Sequence, residues 1–352
     1  MPGSGLAKAR GFARAALLLA LFLPGAARAQ GAAPNLSPQV AALLPQAKAE
    51  GGIAFIYGSD LDPTQVAALT KAMDAFYGAA FDLKFGTGLH PQKAAEIVQG
   101  AKMGVESGLD IFWTGSAIGA LLEQGNVVAD FDWFKGLGID EKLRWGPKGL
   151  HMHDPMLTGV TYNTQQIAAA EAPRAYGDLL NPKWKGRIAA PRAPNVFVYI
   201  SYGYGDEKTR ALITDLVEKQ DLKILPTFPD VSNRVLSGEF ALGIGVTPTL
   251  QRRRGAPVEA APIDPVVLTP WAFWLMKDAK HPATAKLFGY WMSSPQGQKV
   301  LSDVAALSLA STPDTDLARF IAGKKVATVP HEFNIEALPK LGPIYGKLMG
   351  LR

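Results

Sequence analysis

The feature that most constrains the fold is a repeated alternation of a short apolar run, a polar turn and an amphipathic segment. The first copy is the clearest: Ile53–Tyr57 is a compact apolar run, and the chain turns at residues 58–60. Asp62 then supplies a helix cap, Pro63 suits the first helical position, and Gln65 completes a capping box. Buried strands followed by amphipathic helices predict helices layered on a sheet, so the predicted fold class is α/β.

The same unit recurs along the chain. We expect helices between further strands, which the apolar runs place at 81–85, 109–113, 157–162, 187–190, 240–245 and 258–261. The apolar run 266–276 would then bring the chain back to the part of the fold that contains the N-terminal strands. Three more helices would complete that part, at 282–292, 295–304 and 335–349. Two passages between the same two lobes would make a hinge with a cleft between them.

Residues 1–29 have the pattern of an export signal. A positively charged start precedes the nine-residue apolar run Ala15–Leu23, which is shorter than the roughly 20 residues needed to span a bilayer. The small-residue pattern at 27–29 suits a signal peptidase, so we expect cleavage before Gln30. Because no cysteine is available for a lipid anchor, we expect the exported protein to reside in a Gram-negative periplasm.

The length that remains predicts two lobes. About 320 residues follow the predicted signal, which is more than one hydrophobic core usually organises. We expect a disordered leader at 30–36, a first lobe formed by 37–160 and 265–352, and a second lobe formed by 161–264.

The composition excludes several classes of function. The net charge of +5 falls to +1 without residues 1–29, so nucleic acid is not an expected partner. We interpret the basic run Arg252–Arg254 as a solvated helix end. The chain has no cysteine, which excludes disulfides and thiolate chemistry. No nucleophile elbow, Walker loop or His-Glu-x-x-His motif occurs in the sequence, so we expect neither an enzyme nor a cofactor.

Four strand-to-helix junctions carry small or polar residues and supply the candidate binding residues. In open α/β sheets a ligand binds outside the carboxyl ends of the strands, where helix N-termini favour anions. Hydroxyl and amide groups can add directional hydrogen bonds, although the same residue types also serve as simple helix caps. The predicted ligand-binding residues are Ser59, Asp60, Thr114, Ser116, Asn195 and Thr247, with Tyr199 as a further hydrogen-bonding group and Trp113 as an aromatic wall.

The nearest approach to a metal cluster is the pair His151 and His153. Alternate residues of a strand point the same way, so both imidazoles could bind one ion. No third ligand is evident, and the alternative is a hydrogen-bonded pair close to the hinge.

Several segments resemble a known protein family. Tyr162-Asn163-Thr164, followed by Tyr176–Leu180 and Lys183–Ile188, is similar to a region of type II periplasmic solute-binding proteins. The group in question includes ferric-iron-, polyamine- and aminoethylphosphonate-binding proteins. The segments Val235–Gly243 and Ser294–Gln298 add to the likeness.

The resemblance implies a two-lobed α/β fold, each lobe a mainly parallel sheet flanked by helices, joined by two crossing strands. It implies a periplasmic component of an ABC importer that captures a small-molecule solute and delivers it to an inner-membrane permease. We expect a monomer. The resemblance also implies that the ligand-contacting loops are the four strand ends named above.

The departures from the family bear on the ligand. Ferric-binding members place adjacent tyrosines just beyond the Gly-Glu strand, whereas residues 245–248 here read Gly-Val-Thr-Pro. The loop after the first strand offers Ser59 and Asp60 where many ferric members offer a histidine. An organic anion, of carboxylate or phosphonate type, therefore fits better than tyrosine-ligated iron. A metal-ion carrier and an exported enzyme are the alternatives.

Overall fold

A computed structural model describes residues 36–351 of the chain. The predicted export signal at 1–29 and most of the predicted leader at 30–36 therefore lie outside the described residues. Within the described part, no helix combines the length and the apolar character that crossing a membrane requires.

The helices alternate with strands along most of the chain. In chain order they are α1 (Pro38–Ala41), α2 (Leu43–Ala49), α3 (Pro63–Tyr77), α4 (His90–Lys102), α5 (Ser116–Gln124), α6 (Trp133–Leu137), α7 (Asn195–Tyr204), α8 (Asp206–Glu218), α9 (Phe228–Leu236), α10 (Thr249–Arg253), α11 (Pro282–Ser293), α12 (Pro295–Ala305), α13 (Asp316–Ile321) and α14 (His331–Leu348).

The strands are short, at two to five residues each. In chain order they are β1 (Ile53–Tyr57), β2 (Asp82–Gly86), β3 (Ile111–Gly115), β4 (Arg144–Trp145), β5 (Gly149–His153), β6 (Val160–Asn163), β7 (Ile188–Pro191), β8 (Lys223–Leu225), β9 (Leu242–Ile244), β10 (Val258–Ala260), β11 (Val266–Leu268), β12 (Trp271–Leu275) and β13 (Val326–Thr328).

A six-stranded sheet in the order β2-β1-β3-β12-β5-β4 forms what we call the first lobe, together with its helices. The predicted capping box is confirmed: the Asp62 carboxylate accepts from Gln65 N at 2.9 Å, and Gln65 Oε1 accepts from Asp62 N at 2.8 Å. Leu69 and Met73 on α3 are fully buried against this sheet. The predicted succession of strand, turn and helix is therefore present in the first half of this lobe.

A five-stranded sheet in the order β10-β6-β9-β7-β8 forms the second lobe. Strand β7 is buried along its whole length, in keeping with helices on both faces. Both sheets are mixed rather than mainly parallel as expected. The strands near the crossings cause the difference, because β12 runs antiparallel to β3 and β6 runs antiparallel to β9.

The chain passes between the lobes through segments that hydrogen-bond to one another. Thr158 Oγ1 donates to Val267 O at 2.9 Å, and Thr269 N donates to Pro155 O at 3.1 Å. The predicted apolar run 266–276 is divided here into β11 and β12. Strand β11 pairs with β13 in a separate two-stranded sheet, so a third passage accompanies the two expected ones.

The last helix departs from the expected assignment of 265–352 to the first lobe. Tyr345 and Met349 lie in the hydrophobic core of the second lobe, and α14 packs against α7 and α8 as well as against α5 of the first lobe. The apolar face of α14 is therefore part of the core of the second lobe. The exact lobe boundaries stay a prediction.

Candidate functional site

The predicted loop after β1 lies at the carboxyl edge of the first sheet. Ser59 is half-buried, and Asp60 is exposed and accepts a hydrogen bond from the Thr87 hydroxyl at the end of β2. Gly58 is required before them, because a Cβ there would lie 2.6 Å from the Trp113 Cβ. The close approach keeps this loop against the end of β3.

His90, which the sequence reasoning did not single out, occupies the same edge. It is the first residue of α4, and its ring lies 2.9 Å from Thr114 Oγ1 through Nδ1 and 3.3 Å from Gly58 O through Nε2. Burial lowers the pKa of this imidazole. The available clue was its position after a strand end, the same criterion that selected Ser59 and Ser116.

Thr114 and Ser116 are buried and already have partners inside the first lobe. Thr114 contacts His90, and Ser116 Oγ accepts from the Trp145 indole nitrogen at 2.6 Å. Each side chain is about 1% exposed. The two hydroxyl groups therefore stabilise the edge of the site through these hydrogen bonds. They affect a ligand only by positioning His90 and Trp145.

Trp113 is a core residue, which corrects its prediction as a pocket wall. Its side chain is fully buried, packs edge-on against Phe273, and donates from Nε1 to His153 Nδ1 at 3.1 Å. Both faces of this sheet are covered, so a large aromatic side chain on β3 is enclosed whichever way it points. No face of the ring is left for a ligand.

Trp271 holds the position that Trp113 was expected to hold. It is the half-buried first residue of β12 and pairs with Gly115 at the carboxyl end of β3. Its ring centre lies 5.1 Å from that of His90 and 5.5 Å from that of His153. An indole between two imidazoles is a suitable wall for a small polar ligand.

The two candidate metal ligands are engaged with different partners. His151 Nε2 lies 2.8 Å from Asp154 Oδ1 and its ring packs on Trp145, whereas His153 pairs with Trp113. Among residues 36–351, no group of three or more His, Cys, Asp or Glu side chains is arranged to bind a metal ion. Each histidine therefore has a hydrogen-bond partner of its own.

In the second lobe, Asn195 begins α7 and is half-buried, and Tyr199 follows one turn later. Burial raises the pKa of Tyr199 to about 12, and the neighbouring Asn195 side chain opposes that rise. The phenol is therefore neutral at physiological pH. In this form the phenol can donate and accept hydrogen bonds.

Thr247 lines a cavity of about 90 Å³ at the junction of the lobes. The crossing segment contributes His153 to Met156. The second lobe contributes Thr247, Thr249, Arg252 and Glu259, and the first lobe contributes residues 306–308 with α13 beside them. Of the predicted site residues, this cavity brings together Thr247 and His153. Ser59, Asp60, Ser116 and Asn195 do not line it.

The basic run Arg252–Arg254 connects the two lobes, which corrects its interpretation as a solvated helix end. Arg253 donates to the carbonyl oxygens of Ser302 and Asp303 at 2.6 and 3.1 Å, in the last turn of α12. A cation is favoured there, because the last carbonyls of a helix lack internal partners. Sequence reasoning missed this role because the partners lie about 50 residues away.

Asp316 at the start of α13 reinforces that connection. It accepts from Arg252 Nη2 at 3.0 Å and from Arg253 Nε at 2.6 Å. Burial raises the pKa of the Asp316 carboxyl, but hydrogen bonds from Arg319 and Arg253 outweigh it, so the pKa is lowered. Arg254 adds a more exposed pair with Asp62 at 3.3 Å. We call this set, Arg252–Arg254 with Asp316, Asp62 and the end of α12, the arginine bridge.

His153 is expected to make stability depend on pH. Burial lowers its pKa from 6.5 to about 3. Below pH 6.5 this histidine is protonated in the unfolded chain but stays neutral in the folded chain. The free energy of unfolding therefore falls as the pH drops from 6.5 towards 3. The lowered pKa values of His90 and His331 act in the same direction.

The variant His153→Gln isolates that contribution. Urea unfolding between about pH 8 and about pH 4.5 should give a shallower decline in stability for His153→Gln than for the wild type. Residue 153 is neutral in both proteins at the high-pH end of this range. The difference between their free energies of unfolding at that pH therefore serves as the reference. Parallel pH profiles would show that His153 titrates normally in the folded chain.

A family model described as bacterial extracellular solute-binding protein matches residues 101–333. No curated protein matches the sequence.

Solved structures share the fold over most of their length. Iron-bound HitA from Pseudomonas aeruginosa has a TM-score of 0.64 at 18% identity, covering 85% of this chain and 99% of that one. AfuA from Actinobacillus pleuropneumoniae, with exogenous fructose-6-phosphate bound, has a TM-score of 0.66 at 17% identity, covering 86% and 99%. An ABC-transporter substrate binding protein from Agrobacterium tumefaciens has a TM-score of 0.68 at 15% identity, covering 85% and 96%. These likenesses confirm the predicted two-lobed α/β fold.

Proposed function

The chain belongs to the family of bacterial extracellular solute-binding proteins, and we propose that it captures a small, polar organic anion between its two lobes. The captured solute would be delivered to the permease of an ABC importer in the inner membrane, with the protein acting as a monomer in the periplasm. The family consists of binding proteins, so the proposal includes no chemical change to the solute.

The observation that carries the proposal is the cavity at the junction of the lobes. Its polar lining comes from the crossing segment, from the second lobe after β9 and from the first lobe after α12. A solute that contacts all three parts binds the closed arrangement better than an open one. It therefore shifts the lobes towards closure by that difference in affinity.

The charges and tyrosines favour an organic solute over iron. HitA was solved with iron bound. In the described part of this chain, however, no triad of His, Asp or Glu side chains is arranged for a metal ion, and residues 245–248 offer no tyrosine just beyond the Gly-Glu strand. The cavity is lined instead by hydroxyl groups and Arg252, which can donate hydrogen bonds to a solute, together with the carboxylates of Asp154, Glu259 and Asp316.

Native mass spectrometry of the mature protein, purified from periplasm without added ligand, tests the proposal. We expect a discrete adduct of small organic mass that is lost on denaturation. An adduct equal to one metal ion that survives dialysis would contradict the organic-anion proposal and support the iron alternative.

A double variant links such an adduct to the predicted residues. Asn195→Ala with Thr247→Val should lower the affinity for the solute about thirty-fold, because each change removes a donor worth about 1 kcal/mol from the cleft. The matched control is Asn233→Ala with Thr164→Val, two exposed residues of the same lobe. Equal occupancy in the two double variants would remove Asn195 and Thr247 from the site.

A further inference from the structure

The last helix, α14, joins the two lobes. Its C-terminal half lies in the core of the second lobe, where Tyr345 and Met349 are buried. In its first turn, two neighbouring side chains contact different lobes. Phe333 packs on Tyr202 of α7, with ring centres 4.9 Å apart, whereas His331 packs on the first lobe. A movement of one lobe against the other therefore changes one of these two contacts.

His331 is enclosed by the segment that joins β4 to β5. Its ring lies edge-to-face against Trp145, with ring centres 6.3 Å apart. Gly146 approaches so closely that a Cβ there would lie 2.6 Å from both Cε1 and Nε2 of the imidazole. His331 is 5% exposed, and neither ring nitrogen has a hydrogen-bond partner among the described residues. We call this arrangement docked. Because a buried polar ring without a partner is costly, it is the weaker of the two attachments of α14.

Protonation of His331 makes the docked arrangement less favourable. Burial lowers the pKa of this imidazole and outweighs Glu123 on α5 and Glu332 on α14, the carboxylates that favour its charged form. The basic residues nearest in sequence to the enclosing segment, Arg144 and Lys148, form ion pairs within the first lobe. An exposed imidazole has a pKa of about 6.5. The docked arrangement therefore loses stability relative to an undocked one as the pH falls below about 6.5.

Trp145 connects this contact to the candidate site. Its indole nitrogen donates to Ser116 Oγ at 2.6 Å, at the carboxyl end of β3. Its ring packs on His151, with ring centres 5.2 Å apart, and His151 Nε2 lies 2.8 Å from Asp154 Oδ1. Asp154 lines the cavity at the junction of the lobes. Undocking of His331 removes one side of the packing around Trp145, and Trp145 contacts residues of the site.

We propose that α14 is a pH-sensitive strap between the lobes, which His331 docks onto the first lobe while its ring is neutral and which is released when the ring is protonated. The second lobe keeps the rest of the helix, because the C-terminal half of α14 is part of its core. An expected weakening of solute binding at acidic pH rests on the proposed function, whereas the release of the helix does not.

Paired spin labels measure the release directly, because the chain has no cysteine of its own. Gln124→Cys on α5 and Lys340→Cys on α14 are exposed positions on the two helices that would separate. Between about pH 7.5 and about pH 5.5 the ratio of docked to undocked helix should fall by up to about ten-fold, seen as a new population at longer distance. His331→Phe places a ring that does not titrate in the same position, so its distances should not change with pH. His331→Leu is a second, smaller replacement that does not titrate.

A substitution at Gly146 tests the same contact without a change of pH. The methyl group of Gly146→Ala would overlap the imidazole, so we expect the longer distance already at about pH 7.5. Gly146 has a φ of +60°, which strains any residue that carries a side chain. The matched control is therefore Gly138→Ala, in the same lobe at a φ of +70°, where an added Cβ meets no atom within 4 Å. The control carries the strain without the overlap and should behave like the wild type.

Three results would overturn the strap. They are equal distances in the wild type at the two pH values, an equal pH response in the His331 variants, and equal distances in Gly146→Ala and Gly138→Ala. Circular dichroism at each pH separates release of the helix from unfolding of the chain.

The link to binding is tested separately. Native mass spectrometry after dialysis should show any organic adduct lost more completely at about pH 5.5 than at about pH 7.5 in the wild type, and equally at both in His331→Phe. Equal loss in the two proteins would overturn this link. The distance measurements need no solute, so a protein without an organic adduct would remove the proposed function and leave the strap standing.

Discussion

Replacing Trp113 by alanine is expected to lower the free energy of unfolding by about 3–5 kcal/mol, the usual cost of deleting a fully buried tryptophan. The ring fills the core between β3 and Phe273, and its N–H satisfies His153 Nδ1. Stabilities of whole domains are about 5–15 kcal/mol, so this loss is large. Urea unfolding with a fixed m-value measures it.

Two further variants separate the core role of Trp113 from a ligand-contacting role. Trp113→Phe keeps most of the ring and loses the hydrogen bond, so we expect a smaller loss, about 1–3 kcal/mol. Trp271→Ala, at the half-buried edge, should weaken solute binding more than it weakens folding. If Trp113→Ala left stability within about 1 kcal/mol of wild type and abolished binding, the original interpretation as a pocket wall would be correct.

Removing the Arg253 side chain is expected to favour the open arrangement of the lobes. Arg253 bonds to two carbonyls at the end of α12 and to Asp316, and its side chain is 28% exposed. Allowing for this partial exposure, the loss should cost about 1–2 kcal/mol of closure. Because apparent affinity scales with the closed fraction, solute binding should weaken about ten-fold.

The absence of cysteine from the sequence makes closure measurable by paired spin labels. Lys71→Cys on α3 and Glu207→Cys on α8 are exposed positions in different lobes. With Arg253→Ala the distance distribution between the labels should broaden and its mean should change. The control Arg254→Ala removes an exposed pair and should have little effect. Identical distributions and affinities for Arg253→Ala and wild type would exclude a closing role for the arginine bridge.

Local patterns were sufficient for the elements that depend on neighbouring residues. The capping box at Asp62 and the buried stripe on α3 follow from spacing alone, and both are present. The strand ends at Ser59, Ser116, Asn195 and Thr247 were also located, because polar turns after apolar runs mark them.

Long-range packing explains the errors. Trp113 and Trp271 both lie at strand ends, and the sequence does not reveal that one is enclosed while the other reaches the edge. Arg253 meets the end of α12 about 50 residues away, a contact that its neighbours in sequence do not indicate. The apolar face of α14 fits either lobe, and only the assembled fold shows it completing the second.

The cavity residues show the same limit at the site. The spacing of His151 and His153 suggests a shared metal ion, whereas in the fold His153 accepts a hydrogen bond from Trp113, which is 40 residues away. Thr249 and Ser308 belong to different lobes and resemble ordinary surface residues in the sequence. Their convergence is a property of the folded chain.

A crystal structure with the solute that copurifies from periplasm would test the central claim most directly. We expect the solute to lie at the junction of the lobes, to contact both of them, and to accept a hydrogen bond from Thr247. A solute bound to one lobe alone, or a metal ion held by residues outside this cavity, would contradict it.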